Sequence, residues 1–240
     1  MSTTMRRTRL WDLPVRLVHW SFVALLPALW LSAENGKIDL HKTLGLIMLG
    51  LVVFRLLWGL YGSSTARFAN FVKSPGAVLR YLKGVRSGET ETAVGHNPAG
   101  GWSVVILLLL LAAQATVGLF TIDVDGIESG PLNYLVSYDM GDVLREVHEL
   151  LFNLILAVVG LHVAAIVFYA VVKKDRLVPP MVTGSRDLPA SLPAPRIAAL
   201  WKAIPAILIA AALAWWVGKG APRSLAELNA PPPPSAADYM

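Results

Sequence analysis

The chain has no cysteine and few charged residues. The lack of cysteine among its 240 residues excludes disulfides, thiol chemistry, cysteine-ligated iron–sulfur clusters and covalent haem attachment through a CxxCH motif. Asp, Glu, Lys and Arg make up 15% of the residues. Soluble domains carry about 25%. Any cofactor must therefore be held by histidine or by packing, and the chain is unlike a soluble domain.

Long apolar runs take the place of the missing charge. Hydrophobic residues make up 55% of the chain, and the mean hydropathy is +0.56. A helix of about 20 apolar residues crosses the hydrocarbon core of a bilayer. We predict four spans and a fifth that contains Lys202 and Pro205, at about 13–32, 40–60, 102–122, 144–172 and 198–217. The predicted fold class is all-α: a polytopic membrane protein with a four-helix transmembrane bundle and a fifth transmembrane helix.

Lysine and arginine are unevenly distributed between the connections. They cluster before the first span, between the second and third, and just after the fourth, whereas the connection 121–143 carries only acidic charges, among them Asp123, Asp125 and Glu128. The positive-inside rule then places the N-terminus in the cytoplasm and the acidic connection outside. The same rule accounts for the net charge of +5, so this basicity does not indicate nucleic-acid binding.

Four of the five histidines lie in or beside the predicted spans. Histidine is costly in hydrocarbon and usually functional there. His148 and His162 are 14 residues apart, which on one helix places both rings on nearly the same face, roughly 21 Å apart. Matching the depths of the four predicted positions pairs His41 with His148 near the outer face, and His19 with His162 towards the cytoplasm. Two imidazoles on each iron predict two b-type haems, one near each side of the membrane.

Three further polar residues have two interpretations each. Arg55 lies 14 residues after His41 and Arg16 three before His19, so either could pair with haem propionates or extend its charge to the membrane surface. His96, in a glycine-rich turn before the third span, could cap the helix entry or contact a propionate or a quinone head group. We favour the capping interpretation for His96.

Four segments of the chain resemble those of a known family: "RLWDLPVRLVHW", "LHKTLGLIMLGLVVFRLLWGLYGS", "GHNPAGGW" and "VHELLFNLILAVVGLHVAAIVFYAVVKK". Together they resemble the bacterial cytochrome b561 family over about residues 9–184, including the cytochrome b subunits of nickel–iron hydrogenases. The resemblance implies that His19, His41, His148 and His162 bind two haem b groups. It also implies electron exchange between quinone and a partner redox protein. Residues 185–240, with the fifth span and a proline-rich tail, lie outside it, so we divide the chain into 1–184 and 185–240.

The resulting hypothesis is a di-haem cytochrome of the bacterial inner membrane. It would carry electrons between the quinone pool and a periplasmic c-type cytochrome, or the subunits of a hydrogenase or dehydrogenase, as an electron-transfer subunit rather than a stand-alone catalyst. The acidic outer connection could dock a basic partner. The alternative is a proton or solute transporter whose membrane histidines relay protons, which predicts a colourless protein.

Overall fold

Five long helices dominate the computed structural model, which describes residues 4–88, 93–122 and 128–221. These helices are long and apolar enough to cross a membrane: α1 Leu13–Glu34, α2 Ile38–Tyr61, α5 Pro98–Gly118, α6 Tyr138–Val171 and α8 Ala203–Gly218, the last extended by a 3-10 turn over Leu200–Lys202. Three short helices and two strands connect them: β1 Met5–Arg9, α3 Phe68–Phe71, α4 Pro75–Ser87, α7 Val178–Thr183 and β2 Ser185–Pro189. The predicted all-α polytopic fold is confirmed, including its fifth span.

Polar caps set helix boundaries that hydropathy placed differently. The third predicted span began at Trp102, but α5 begins at Pro98 because the Asn97 side chain accepts a hydrogen bond from the Gly100 amide at 2.7 Å. The fourth was predicted from Leu144, but α6 begins at Tyr138, capped by Ser137. Hydropathy misses such first turns because they are polar although helical.

The packing of α6 is one-sided. Its extensive backbone contacts are with α5, while α2 packs closely on α1, α5 and α8. The helices that carry the opposing histidines, α1 and α2, are therefore held away from α6. Side chains, or a molecule between them, must fill the space that separates these helices.

One apolar layer bridges this space at mid-height. Ile155 of α6 is fully buried against Met48 and Val52 of α2 and Leu111 of α5, with Leu25 of α1 at its edge. Ile155 lies seven residues from both His148 and His162, so it shares their face of the helix. The layer therefore divides the space beside α6 into an outer and an inner compartment.

The segment after α7 is joined to the start of the chain. Strands β1 and β2 pair antiparallel, with Thr8 opposite Arg186. Farther along, the Ala198 amide donates to the Ser63 hydroxyl at 2.8 Å, and α8 then packs along α2. The sheet was not predicted, and it links residues on both sides of our division at 184.

The basic segment between the second and third spans contains the short helix α4. Ser74 and Pro75 start α4, which presents Leu79 and Leu82 as exposed apolar side chains alongside Arg80. The helix is held to α6 by a hydrogen bond between the Tyr81 and Tyr169 hydroxyls. Burial of Tyr81, together with this bond, raises its pKa above the usual value.

A buried carboxylate ties α1 to α2. Asp12 is 1% exposed; it caps α1 through the Val15 amide at 2.8 Å and accepts a hydrogen bond from the Trp58 indole at 3.0 Å. Trp58 is itself fully buried. Both bonds lie where water cannot replace them, so they contribute to stability more than surface bonds would.

Asp12→Ala should therefore destabilise the protein. We expect a loss of about 2–4 kcal/mol in the free energy of unfolding, because the cap is lost and a buried indole N–H is left unpaired. Titration of the detergent-solubilised protein with sodium dodecyl sulfate measures the change. Asp139→Ala, at an exposed helix start, is the control, and an equal loss in both variants would contradict the role of Asp12.

Candidate functional site

The outer pair of histidines lies across the space beside α6, one ring edge-on to the other. His41 is in the first turn of α2 and His148 in the third turn of α6; their ring centres are 6.2 Å apart and their planes are inclined by 78°. Histidine–metal bonds of about 2 Å on opposite sides of one ion would place two ring centres about 6 Å apart. The pair thus has the spacing at which both rings can bind one iron.

Neighbouring groups orient these two rings differently. The Nδ1 of His41 lies 2.9 Å from the Leu29 carbonyl, so we assign the proton to Nδ1, which leaves Nε2 as the available ligand. The Nδ1 of His148 is buried and makes no hydrogen bond of normal geometry, although the main chain of Gln114 lies nearby. Gly118 lies against the His148 ring, where a Cβ would come within 2.9 Å of Cε1.

The inner pair is built from α1 and α6. His19 on α1 and His162 on α6 are both half-buried. The Nδ1 of His162 lies 3.4 Å from the Ser103 hydroxyl of α5, whereas the Nδ1 of His19 is buried without a hydrogen-bond partner. Each pair therefore contains one ring oriented by a hydrogen bond and one whose buried nitrogen is unsatisfied.

The surroundings of both pairs fit a haem. A Cβ on Gly45, one turn after His41, would meet nothing within 4 Å, so a flat ring can approach the backbone there. Within the described ranges, no group of three or more His, Cys, Asp or Glu side chains could hold a metal ion alone. Paired histidines suit a metal whose other four ligands come from a porphyrin.

Arg55 is a buried cation at the inner end of α2. It is 5% exposed, its guanidinium lies 5.2 Å from the Phe68 ring centre, and its Nη1 has no hydrogen-bond partner. Asp12 contributes the favourable charge nearby. A buried guanidinium with an unused donor suits an anionic group such as a propionate. This role stays a prediction.

Arg16 has partners of its own. Its Nε donates to the Met181 carbonyl at 3.3 Å, and its Nη2 donates to the Val182 carbonyl. The Trp20 indole donates to Met181 as well, at 3.2 Å. Arg16 thus ties α1 to the C-terminal end of α7. Its predicted role beside a haem propionate stays a prediction, because the hydrogen bonds described for its side chain go to main-chain carbonyls.

His96 lies between two aromatic rings, Trp11 at 4.6 Å and Phe71 at 4.5 Å between centres. Its neighbour Asn97, rather than His96, caps α5. Burial, with the charges of Arg55 and His162, lowers the pKa of His96 to about 3, so the ring is neutral at pH 7. The Nδ1 is buried without a hydrogen-bond partner, which leaves it available to a ligand at the inner end of the bundle.

The outer surface is less acidic than the connection alone suggested. Lys42 forms ion pairs with Glu128 at 2.8 Å and Asp39 at 3.3 Å, and Arg145 pairs with Asp142 and Glu149 at 2.7 and 3.2 Å. Arg145 belongs to this surface because α6 begins earlier than predicted. Asp123 and Asp125 lie outside the described residues.

Analysis of the sequence did not identify several residues of the site. Ser103 and Gln114 are isolated polar residues in the apolar run of α5, and that isolation was the available signal. Gly118 and Ile155 gave no signal, because their roles depend on which helix packs opposite.

Comparison with family models matches residues 10–184 to prokaryotic cytochrome b561. The chain belongs to the prokaryotic cytochrome b561 family. It is therefore a multi-pass membrane b-type cytochrome that acts in electron transfer, as the sequence resemblance implied. The matched region contains all four paired histidines and ends before β2 and α8. Neither the curated proteins nor the solved structures searched gave a match.

Gly118→Ala should disturb the outer pair selectively. The added methyl group would displace the His148 ring, so we expect a shifted or broadened α-band for about half of the bound haem, or its loss. Low-temperature absorption spectra of the reduced protein measure the effect. Gly160→Ala is the matched control on α6, since its Cβ would meet nothing within 4 Å. Identical spectra for both variants would contradict the contact.

Proposed function

We propose that this protein binds two b haems and carries electrons across the bacterial inner membrane. His41 and His148 would hold the outer haem, and His19 and His162 the inner one. The electrons would pass between the quinone pool and a periplasmic redox partner, either a c-type cytochrome or a subunit of a hydrogenase or dehydrogenase. The N-terminus would lie in the cytoplasm, as the distribution of basic residues indicates.

The single observation that carries the proposal is the 6.2 Å separation of the His41 and His148 rings. Two satisfied core histidines would each need a polar partner, but the buried His148 Nδ1 makes no hydrogen bond of normal geometry. Unless the pair binds a metal, the free-energy cost of burying the His148 nitrogen is not compensated.

The protein's own residues would hold the cofactor in an electron-transfer state. A haem iron with two histidine ligands changes between its ferric and ferrous states without an open position for oxygen. Leu29 and Ser103 orient His41 and His162, and Arg55 supplies an inner cation. The apolar layer around Ile155 keeps water from the space between the pairs.

The first test is a haem count. Purified wild type should show two low-spin b haems per chain by pyridine haemochrome and reduced-minus-oxidised spectra. His148→Ala and His162→Ala should each lose one, because each removes one axial ligand. His96→Ala, which changes a histidine outside both pairs, should keep two.

Other outcomes would contradict the proposal. One haem in the wild type would mean that one pair is wrong, and the alanine variants would identify it. If protein made with ample haem supply contains no haem, the result would contradict a role in electron transfer and favour the alternative of a proton or solute transporter.

Docking of a basic partner gives a separate prediction. The triple variant D123N/D125N/E128Q should slow electron exchange with a basic c-type cytochrome about tenfold at low ionic strength and weaken the salt dependence, because it removes steering charge. Stopped-flow absorbance measures the rate. Asp187→Asn, on β2 at the predicted cytoplasmic side, is the control. An unchanged rate and salt dependence would contradict docking at this connection.

A further inference from the structure

A polar cavity that His96 helps to line lies at the predicted cytoplasmic end of the protein. It has a volume of about 520 Å³ and is bounded by the chain between α2 and α4, the turn before α5, and residues 193–196. One wall therefore comes from the segment beyond the cytochrome b561 match, which ends at residue 184. This feature goes beyond the proposed function.

The cavity is lined by three cations: Arg67, Lys73 and Arg196. No aspartate or glutamate is among its described lining residues. The Nε of Arg67 is buried and has no hydrogen-bond partner. In the part of the chain that the structure describes, none of the three forms an ion pair. Lys73 and Arg196 are exposed, so water weakens the repulsion among the three cations, and an anion between them would relieve it further.

The cations are held in place by a hydrogen-bonded frame. The Ser64 amide donates to the Arg196 carbonyl at 2.9 Å, and the Arg196 amide donates to the Ser64 hydroxyl at 3.0 Å. The Asn70 side chain donates to the Ser64 carbonyl at 2.7 Å, and Lys73 donates to the Asn70 carbonyl at 2.9 Å. The segment that carries Arg196 is thereby fixed against the loop that carries Arg67 and Lys73.

The surroundings indicate where an anion would come from. Lys73 lies two residues before α4, whose exposed Leu79 and Leu82 and basic residues suit a helix lying on the inner leaflet. Apolar residues such as Phe71 and Val94 line the cavity beside its cations. Basic pockets among transmembrane helices on the cytoplasmic side bind anionic lipid head groups.

We propose that this cavity binds the phosphate group of an anionic phospholipid of the inner leaflet. Arg67 and Arg196 contact the phosphate, and Lys73 adds charge at the side nearest α4. Residues 193–196 complete the site, so the C-terminal extension gives this chain a lipid site that the matched region alone lacks.

Native mass spectrometry of the haem-loaded full chain tests the proposal. The probes are phosphatidylglycerol and phosphatidylcholine with identical acyl chains; the choline cation of the second would face the three basic side chains. We expect retention of phosphatidylglycerol by the wild type and loss of about 25-fold in R67Q/R196Q, about fivefold for each cation. Arg80→Gln, which removes an exposed cation of α4 outside the cavity, should change binding less than about twofold.

Competition with inorganic phosphate shows whether the anion bound in the cavity is a lipid head group or free phosphate. If millimolar phosphate displaces the lipid and protects wild type but not R67Q/R196Q against thermal unfolding, the cavity recognises phosphate and a soluble ligand is its source. If phosphate does not compete, the lipid is the ligand. Equal lipid retention by R67Q/R196Q and Arg80→Gln would overturn the proposal.

Two further results would also overturn it. Loss of the inner haem from R67Q/R196Q, seen as one haem per chain, would mean that the cations serve a propionate. The sequence also places Glu89 and Glu91 shortly before the cavity-lining Ala93, outside the described residues. If E89Q/E91Q increases lipid retention fivefold or more, the chain's own carboxylates occupy the cavity in place of lipid.

Discussion

The distance between α6 and its opposing helices is the constraint on which the rest of this structure depends. Helices in a bundle ordinarily close on one another until their side chains interdigitate. Here α6 packs in that manner on α5, while α1 and α2 stay apart from it and are bridged by side chains around Ile155. The two histidine pairs lie above and below that bridge. If α6 closed on α2, the rings of His41 and His148 could no longer accommodate an ion between them.

The two ends of the bundle differ in their electrostatics. At the outer end, His41 is oriented by a main-chain carbonyl, and the nearby charges form exposed ion pairs. At the inner end, buried polar groups cluster: Asp12 with Trp58, Arg55 with its unused donor, and His96 between two rings. A buried cation favours the reduced state of a neighbouring redox centre, because reduction adds negative charge. If both pairs hold haems as proposed, Arg55 would make the inner one easier to reduce to the extent that the nearby Asp12 carboxylate does not offset its charge.

The sequence was informative wherever a property repeats along one helix. Apolar length located five spans, and the 14-residue interval placed His148 and His162 on one face. The depth argument paired His41 with His148, whose ring centres lie 6.2 Å apart, while the pairing of His19 with His162 stays a prediction. Prediction from the sequence failed where the outcome depends on contacts between distant segments. The pairing of β1 with β2, the partners of Arg16 and the contact between Gly118 and His148 each join residues that no local pattern relates. The early start of α6 was missed because its first turn is too polar to register as a span.

The layer around Ile155 has an electrical consequence. Ile155 is fully buried, and its neighbours Met48, Val52 and Leu111 carry no group that could relay a proton. If electrons pass between the two compartments as proposed, no compensating proton can follow them through this layer. Moving one elementary charge across the whole membrane against a potential of about 100 mV costs about 2.3 kcal/mol. Under the proposed function, electron flow past Ile155 would therefore depend on the membrane voltage.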